Sequence, residues 1–140
     1  MQFTRDSATE ANAILACTNE EVHLRDRVVR GSVIVTRDAV IDGWRPATPD
    51  ALTLQDFAGL LALAPEVVLL GTGTRQRMPS PALYADFAAR GIGLEVMDNR
   101  AACRTYNVLL GEFRDVAIAL MLPEGSPEGS DPLSEGLTEI

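Results

Sequence analysis

The chain has 140 residues and a formal net charge of −8. This length fits one domain with a core of its own, and the acidic balance argues against nucleic acid or an anionic membrane as the main partner. Two cysteines are too few for a disulfide framework or a cysteine-based metal cluster.

The first 45 residues contain short apolar segments separated by turn residues. They predict strands at 13–16, 21–24 and 32–36. Three consecutive β-branched residues in the last segment favour a strand that is covered on both sides. We expect these strands to be antiparallel and to pack at one side of the domain.

From Thr53 onward, helical periodicity alternates with continuous apolar runs. Thr53 and Asp56 resemble a capping box with aspartate in place of the usual glutamate, and the helix that they begin is predicted to end at Pro65. The apolar run at 67–70, closed by Gly71, is typical of a buried parallel strand.

Two more helix–strand pairs follow in the sequence. They are a helix that begins at Ser80 and Pro81 and ends at Gly91, a strand at 94–97, a helix capped by Asp98 and ended by Gly111, and a strand at 116–122. A β-α-β-α-β order predicts parallel strands joined by right-handed crossovers. The predicted fold class is therefore α/β, with a parallel core and N-terminal antiparallel strands.

The segment 123–140 differs from the rest in composition, with five acidic residues and no basic one. It is rich in Pro, Gly and Ser, so it buries too little apolar surface to offset its ordering entropy. We predict one domain at 1–122 and a disordered acidic tail at 123–140. No apolar run approaches the roughly 20 residues that span a bilayer, and no signal segment is present at the N-terminus, which predicts a soluble, cytoplasmic protein without membrane insertion.

Five short motifs resemble those of one known family. They are SVIV at 32–35, GTG at 71–73, GIG at 91–93, EVMD at 95–98 and AACRTYN at 101–107. In this order they are similar to the Mth-nine-three-eight-like domain family, a domain of unknown function, over most of residues 12–122. The resemblance implies a three-layer α/β domain with a mixed sheet and no established enzymatic activity. It also implies kinship with a mitochondrial assembly factor for NADH:ubiquinone oxidoreductase, the first respiratory complex, and therefore a protein partner.

The expected site lies at the carboxyl ends of the parallel strands, where ligands of open α/β sheets bind. Two loops reach this edge, at 71–80 and 98–101. Glycines in the first loop permit tight turns that bring N–H groups close to a guest, and the second loop begins a helix with its positive dipole end. We predict a site for an anion or an acidic peptide. The candidate ligand- or partner-binding residues are Gly71, Thr72, Gly73, Arg75, Arg77, Glu95, Asp98, Arg100, Arg104 and Asn107.

Several of these residues also have purely structural interpretations. The GTG motif is too short for a dinucleotide fingerprint and lacks the Lys-Ser/Thr of a P-loop, so an ordinary turn is its first interpretation. Arg100 and Arg104 share a helix face and belong either to the site or to surface salt bridges. Glu95 interrupts an apolar strand, and its pairing with an arginine such as Arg104 is favoured over a position facing a cleft. Asp98 is expected to be a helix cap rather than a catalytic group.

Catalytic groups are scarce in this chain. Its one histidine, His23, lies far along the chain from the Gly-rich loop, which excludes a histidine-based nucleophile pair at that loop and a zinc site built on several histidines. Cys103 and Cys17 are expected to be small buried groups rather than reactive thiols. The sequence indicates no cofactor and no metal. A carboxylate mechanism stays open, so two hypotheses remain: a binding module or assembly factor, which is favoured, and a small-molecule-binding or anion-binding protein or enzyme.

Overall fold

The computed structural model describes residues 11–46 and 48–123, together with the backbone of residues 138 and 139. Strands in this part of the chain are β1 (Ile14–Cys17), β2 (Glu21–Leu24), β3 (Val28–Arg30), β4 (Val33–Thr36), β5 (Val40–Ile41), β6 (Val67–Gly71), β7 (Gly93–Met97), β8 (Val116–Leu120) and β9 (Thr138–Glu139). The helices are α1 (Ala58–Leu61), α2 (Pro81–Ala89) and α3 (Asn99–Gly111), with 3-10 turns at Pro49–Ala51 and Leu54–Phe57.

The main sheet is mixed and has the order β5-β4-β8-β6-β7. Strand β6 lies inside this sheet, next to the edge strand β7, and pairs in parallel with both β7 and β8, while β4 is antiparallel to β8. The continuous apolar sequence of β6 follows from this position, since a central strand is covered on both faces. The predicted parallel β-α-β-α-β core is confirmed.

The two crossover helices pack on opposite faces of the main sheet. Leu83 and Phe87 of α2 belong to one buried cluster with Val68 and Leu70, whereas Tyr106 of α3 belongs to another cluster. Alternate residues of β6 therefore point to different helices, as the two-residue period of a strand requires. The connection after β6 leads to α2 on one face and the connection after β7 leads to α3 on the other, an arrangement that opens a crevice at the carboxyl ends of the parallel strands.

A second, antiparallel sheet has the order β3-β2-β1-β9. With α3 it covers one face of the main sheet, and α1 and α2 cover the other, so the domain has three layers. The three strands predicted near the N-terminus are present, but they are divided between the two sheets, because β4 pairs with β8 rather than with β2. Strands β3 and β5 were not predicted, since they have only three and two residues.

The predicted disordered tail at 123–140 lies almost entirely outside the described residues, and its disorder stays a prediction. Two of its residues, Thr138–Glu139, form β9 and pair with Ala16 and Cys17 of β1.

The helix predicted to begin after Thr53 is shorter than expected. The side chain of Asp56 accepts a hydrogen bond from the Thr53 N–H at 2.8 Å, as the capping pattern predicts. However, Leu54–Phe57 form a 3-10 turn, and α1 ends at Leu61. The chain then reverses at Ala64, which has a φ of 51°, one residue before Pro65.

Candidate functional site

A cleft of about 1220 Å³ lies at the carboxyl ends of β6 and β8. One side is formed by these strand ends and the first turn of α3. The other side is formed by the β1–β2 turn, the β3–β4 turn and the loop after β5. The cleft is lined by residues 17–20, 30–32, 43–46, 48, 49, 72–75, 77, 98–100 and 121–123.

The hydroxyl group of Thr72 closes the loop that follows β6. It donates to the Arg75 carbonyl oxygen at 2.8 Å and accepts the Arg77 N–H at 2.9 Å. The side-chain amide of Gln76 donates to the Val96 carbonyl oxygen at 2.9 Å. Thr72 is 6% exposed, so its role is to shape the loop. The side chains of Arg75 and Arg77 extend into solvent from this fixed backbone.

Asn99, the first residue of α3, joins the ends of β6 and β8. Its side-chain oxygen accepts the Gly73 N–H at 3.0 Å, and its side-chain NH₂ donates to the Met121 carbonyl oxygen at 3.2 Å. Gly73 has a φ of +104°, which other residues rarely adopt, so glycine is required for this turn. Asn99 was not predicted from the sequence. An asparagine directly after a predicted helix cap, at the same sheet edge as the Gly-rich loop, is a signal that could have indicated it.

The start of α3 is capped within the protein. Asp98 accepts the Ala101 N–H at 2.9 Å, as predicted for a helix cap. The N–H groups of Asn99 and Ala102 donate to the carbonyl oxygens of Gly73 and Asp98 at 2.8 and 2.9 Å. Because these donors are already used, the helix terminus itself offers little to an anion. The predicted anion site therefore depends on the arginines.

Replacement of Gly71 with alanine is expected to lower the free energy of unfolding by about 1–3 kcal/mol. A Cβ at this position would overlap the side-chain oxygen of Asn99 and would lie 2.7 Å from Leu120. The matched control is Gly93→Ala, another strand glycine, where the nearest atom, in Val67, would be 3.7 Å away. Urea denaturation measures both variants. Equal losses would show that packing against Asn99 is not the cause.

The cleft concentrates positive charge in an acidic chain. Five arginines and two carboxylates line it, namely Arg30, Arg45, Arg75, Arg77 and Arg100 against Glu20 and Asp98. Arg30 is paired with Glu21 at 2.8 Å. In contrast, Arg75, Arg77 and Arg100 make no ion pair within the described part of the chain. These three guanidinium groups are therefore available to a ligand.

Two predicted site residues, Glu95 and Arg104, are exposed and lie outside the cleft. Glu95 belongs to the edge strand β7. Burial raises the pKa of the Tyr84 hydroxyl group in α2, and the charge of Glu95 raises this pKa further. The favoured pairing of Glu95 with Arg104 is wrong, since no ion pair joins them and the Glu95 side chain is exposed to solvent on an edge strand. The two arginines predicted to share a helix face also differ in position, because Arg100 lines the cleft and Arg104 does not.

Asn107, also predicted as a site residue, has a structural role instead. Its side-chain oxygen accepts the Ile14 N–H at 3.0 Å, and its NH₂ group donates to the Ile14 carbonyl oxygen at 2.8 Å. This pair of hydrogen bonds fastens α3 to β1, and the side chain lies outside the cleft lining.

Trp44 forms part of the wall opposite the strand ends. Its ring nitrogen donates to the Asp56 carbonyl oxygen at 2.7 Å, and its ring centroid lies 5.5 Å from that of Phe57. The loop after β5 is thus held to the core by one aromatic side chain. This wall was not predicted, because the loop has no periodicity and lies far along the chain from the strand ends.

Cys17 lies in the cleft wall, with Cys103 next to it. Both are buried and free. The neighbouring Cys103 thiol lowers the pKa of Cys17, and the charge of Arg100 lowers it further, while burial and Asp98 oppose the shift. The Cys17 thiol and burial raise the pKa of Cys103. The expectation that both cysteines are buried is confirmed, and their lack of reactivity stays a prediction.

Comparison with known proteins identifies the family. The model of a family described as a protein of unknown function (DUF498/DUF598) matches residues 14–121. The chain belongs to this family. A relative in Bos taurus, named NADH dehydrogenase [ubiquinone] 1 alpha subcomplex assembly factor 3, is 31% identical over 130 residues, which cover 89% of this chain and 71% of the relative.

Solved structures of similar proteins share the fold. A protein from Xanthomonas campestris is 39% identical with a TM-score of 0.71, over 79% of this chain and 83% of that one. A Mth938-like domain from Bordetella pertussis is 30% identical with a TM-score of 0.71, over 86% of this chain and 92% of that one. The Mth-nine-three-eight-like fold predicted from the sequence is therefore confirmed.

Two further features of the described residues concern the membrane and metal ions. None of the helices there has the length and apolar character needed to cross a bilayer. The same residues contain no group of three or more His, Cys, Asp or Glu side chains placed to hold a metal ion. His23 lies outside the cleft lining and contacts Glu21 at 2.8 Å.

Proposed function

We propose that this chain is a binding module of the assembly-factor type and that its cleft holds an acidic segment of a protein partner. The observation that supports this most directly is the charge of the cleft. Arg75, Arg77 and Arg100 have no ion-pair partner in the described residues, although the chain carries a net charge of −8. Carboxylates are the groups that such guanidiniums bind with two parallel hydrogen bonds.

The size of the cleft favours a polypeptide over a small molecule. Its volume of about 1220 Å³ exceeds the roughly 300–1,000 Å³ of ordinary small-ligand pockets. The arginines are also spread over two segments, the loop after β6 and the start of α3, so a ligand must extend between them to contact all three. An extended acidic segment meets both conditions.

The relatives support the assembly role. Since the bovine relative is named as an assembly factor for NADH dehydrogenase, we propose a protein of a respiratory NADH dehydrogenase complex as the partner. The cytoplasm is the proposed location. No catalytic step is part of the proposal.

Replacement of the three cleft arginines is expected to weaken binding of an acidic peptide. The variant Arg75→Ala/Arg77→Ala/Arg100→Ala loses three exposed charge contacts of about 0.2–1 kcal/mol each, or roughly tenfold in Kd. Fluorescence anisotropy with a labelled Glu/Gly peptide measures this change. Because exposed charges are screened by salt, binding to the wild type is expected to weaken as ionic strength rises.

The control variant has the same change in net charge, but its substitutions lie away from the cleft. Arg25→Ala/Arg90→Ala/Arg104→Ala removes three exposed arginines that do not line it, and it is expected to retain most of the binding. A Gln/Gly peptide tests the need for carboxylates. The proposal fails if the wild type binds both peptides equally, or if the two triple variants lose the same affinity.

A small anionic ligand is the second candidate, because the arginine cluster also suits phosphate or sulfate. Under this alternative, inorganic phosphate raises the Tm of the wild type and not that of the cleft variant, while the acidic peptide does not bind. A peptide that binds without any effect of phosphate supports the first proposal.

A further inference from the structure

After β8 the chain continues along the wall of the cleft. The Ser32 hydroxyl group accepts the Leu122 N–H at 2.8 Å and donates to the Leu122 carbonyl oxygen at 3.0 Å. This pair of hydrogen bonds fastens the residues after β8 to the β3–β4 turn. Ser32, Leu122 and Pro123 all line the cleft, so the segment that follows Pro123 starts at the cleft wall.

The chain returns to the same cleft at β9. Thr138, the first residue of β9, pairs with Cys17 at the end of β1, and the two strands are antiparallel. The chain therefore enters β9 at the Cys17 end of β1, where the β1–β2 turn begins. Cys17 and Thr18 line the cleft. The segment 124–137 thus has both of its attachments beside this cleft.

The composition of the segment 124–137 complements the charge of the cleft. It contains no basic residue and four carboxylates, namely Glu124, Glu128, Asp131 and Glu135. A segment of this length reaches at most roughly 50 Å when extended, which is long enough to pass along a cleft of about 1220 Å³. Charge, length and the position of both attachments therefore identify this segment as a ligand for the cleft.

We propose that the segment 124–137 binds in the cleft of its own chain, through its carboxylates and the guanidinium groups of Arg75, Arg77 and Arg100, and that it competes there with an acidic segment of a partner. These arginines make no ion pair within residues 11–46 and 48–123. Because the segment is attached at both ends, its effective concentration at the cleft is on the order of millimolar. The competition rests on the proposed function, whereas the contact between segment and cleft does not.

The contact is reversible because each of its ion pairs is weak. Exposed ion pairs contribute little individually and are screened by salt, so the segment depends on its high local concentration. A partner segment that makes more contacts along the cleft displaces it. A weakly acidic sequence does not, and the segment therefore makes the cleft more selective for its partner.

The first test detects the contact without any partner. A glutamate-specific protease cuts after the three glutamates of the segment, and mass spectrometry gives the rate at each site in the full chain. The variant Arg75→Ala/Arg77→Ala/Arg100→Ala is expected to be cut about three- to tenfold faster than the wild type, because the bound segment is protected and its free fraction sets the rate.

The control for proteolysis is the triple variant that removes three arginines outside the cleft, and it is expected to be cut at the wild-type rate. Unchanged cleavage after Glu66 and Glu112 shows that the domain stays folded in each variant. Equal rates within the segment for all three proteins overturn the proposal.

The second test measures the competition. Neutralisation of the segment in Glu124→Gln/Glu128→Gln/Asp131→Asn/Glu135→Gln is expected to tighten binding of the labelled Glu/Gly peptide about three- to tenfold. The reason is that a competitor bound to most molecules raises the apparent Kd by the inverse of the free fraction.

The control for binding removes the same charge from exposed positions outside the cleft lining, in Asp26→Asn/Asp86→Asn/Glu95→Gln/Glu112→Gln. It is expected to change the affinity little, because salt screens distant charges. An equal gain in both variants overturns the competition, since it reflects net charge alone. If no form of the chain binds the peptide, the proposed function fails, while faster proteolysis of the cleft variant still supports binding of the segment.

Discussion

Replacement of Phe57 with alanine is expected to lower the free energy of unfolding by about 3–5 kcal/mol, the range for a large aromatic side chain removed from a core. Phe57 is fully buried. Its ring lies 5.2 Å from the ring of Phe87, in an edge-on contact, and 5.5 Å from that of Trp44. The substitution therefore leaves a cavity and removes two aromatic contacts at once.

The same substitution is expected to loosen the cleft wall, because the indole of Trp44 rests on Phe57. Trp44 is the only tryptophan of the chain, so its fluorescence reports on this wall alone. We expect a red-shifted emission maximum in the folded variant and an unfolding midpoint at lower urea concentration. The control is Leu63→Ala, which removes an apolar side chain that is 43% exposed and should change both readings little. An unchanged emission maximum in Phe57→Ala would show that other contacts hold the wall.

The sequence was sufficient for the parallel core because the signals there are local. The strand at 67–70, the Asp98 cap and the Gly91 stop each depend on a few neighbouring residues, and the structure contains all three. In the N-terminal part the strand signals were also local, but the choice of partner strand was not. β4 pairs with β8, which lies far along the chain, and no pattern within β4 specifies that partner.

The error at Glu95 has a different physical origin. A carboxylate within an apolar strand is costly only if the strand is covered on both faces. The sequence indicates that a strand is present, whereas its position at the edge follows from the order of the whole sheet. Once β7 is known to be an edge strand, an exposed Glu95 needs no partner.

Only one side of the cleft could be predicted from the sequence. The strand ends and the start of α3 follow from the β-α-β-α-β order, since the carboxyl ends of parallel strands share one edge. The opposite wall comes from turns and from the loop that holds Trp44, and these reach the cleft by tertiary packing alone.

Replacement of Asn99 with alanine is expected to lower the free energy of unfolding by about 2–4 kcal/mol, since it leaves the Gly73 N–H and the Met121 carbonyl without their partners. Asn99→Asp should cost less, because its carboxylate still accepts the Gly73 N–H but cannot donate to Met121. The control Asn19→Ala changes an exposed asparagine on the same cleft.

Urea denaturation gives these losses, and hydrogen exchange of the Gly73 amide shows whether the loop opens locally. The double variant Gly71→Ala/Asn99→Ala adds a test of the proposed overlap. Without the Asn99 side chain, Gly71→Ala should cost less than it does in the wild type, although its contact with Leu120 at 2.7 Å remains. Strictly additive losses would contradict the central place of Asn99, because they would mean that the Gly71 backbone and the Asn99 amide do not depend on each other.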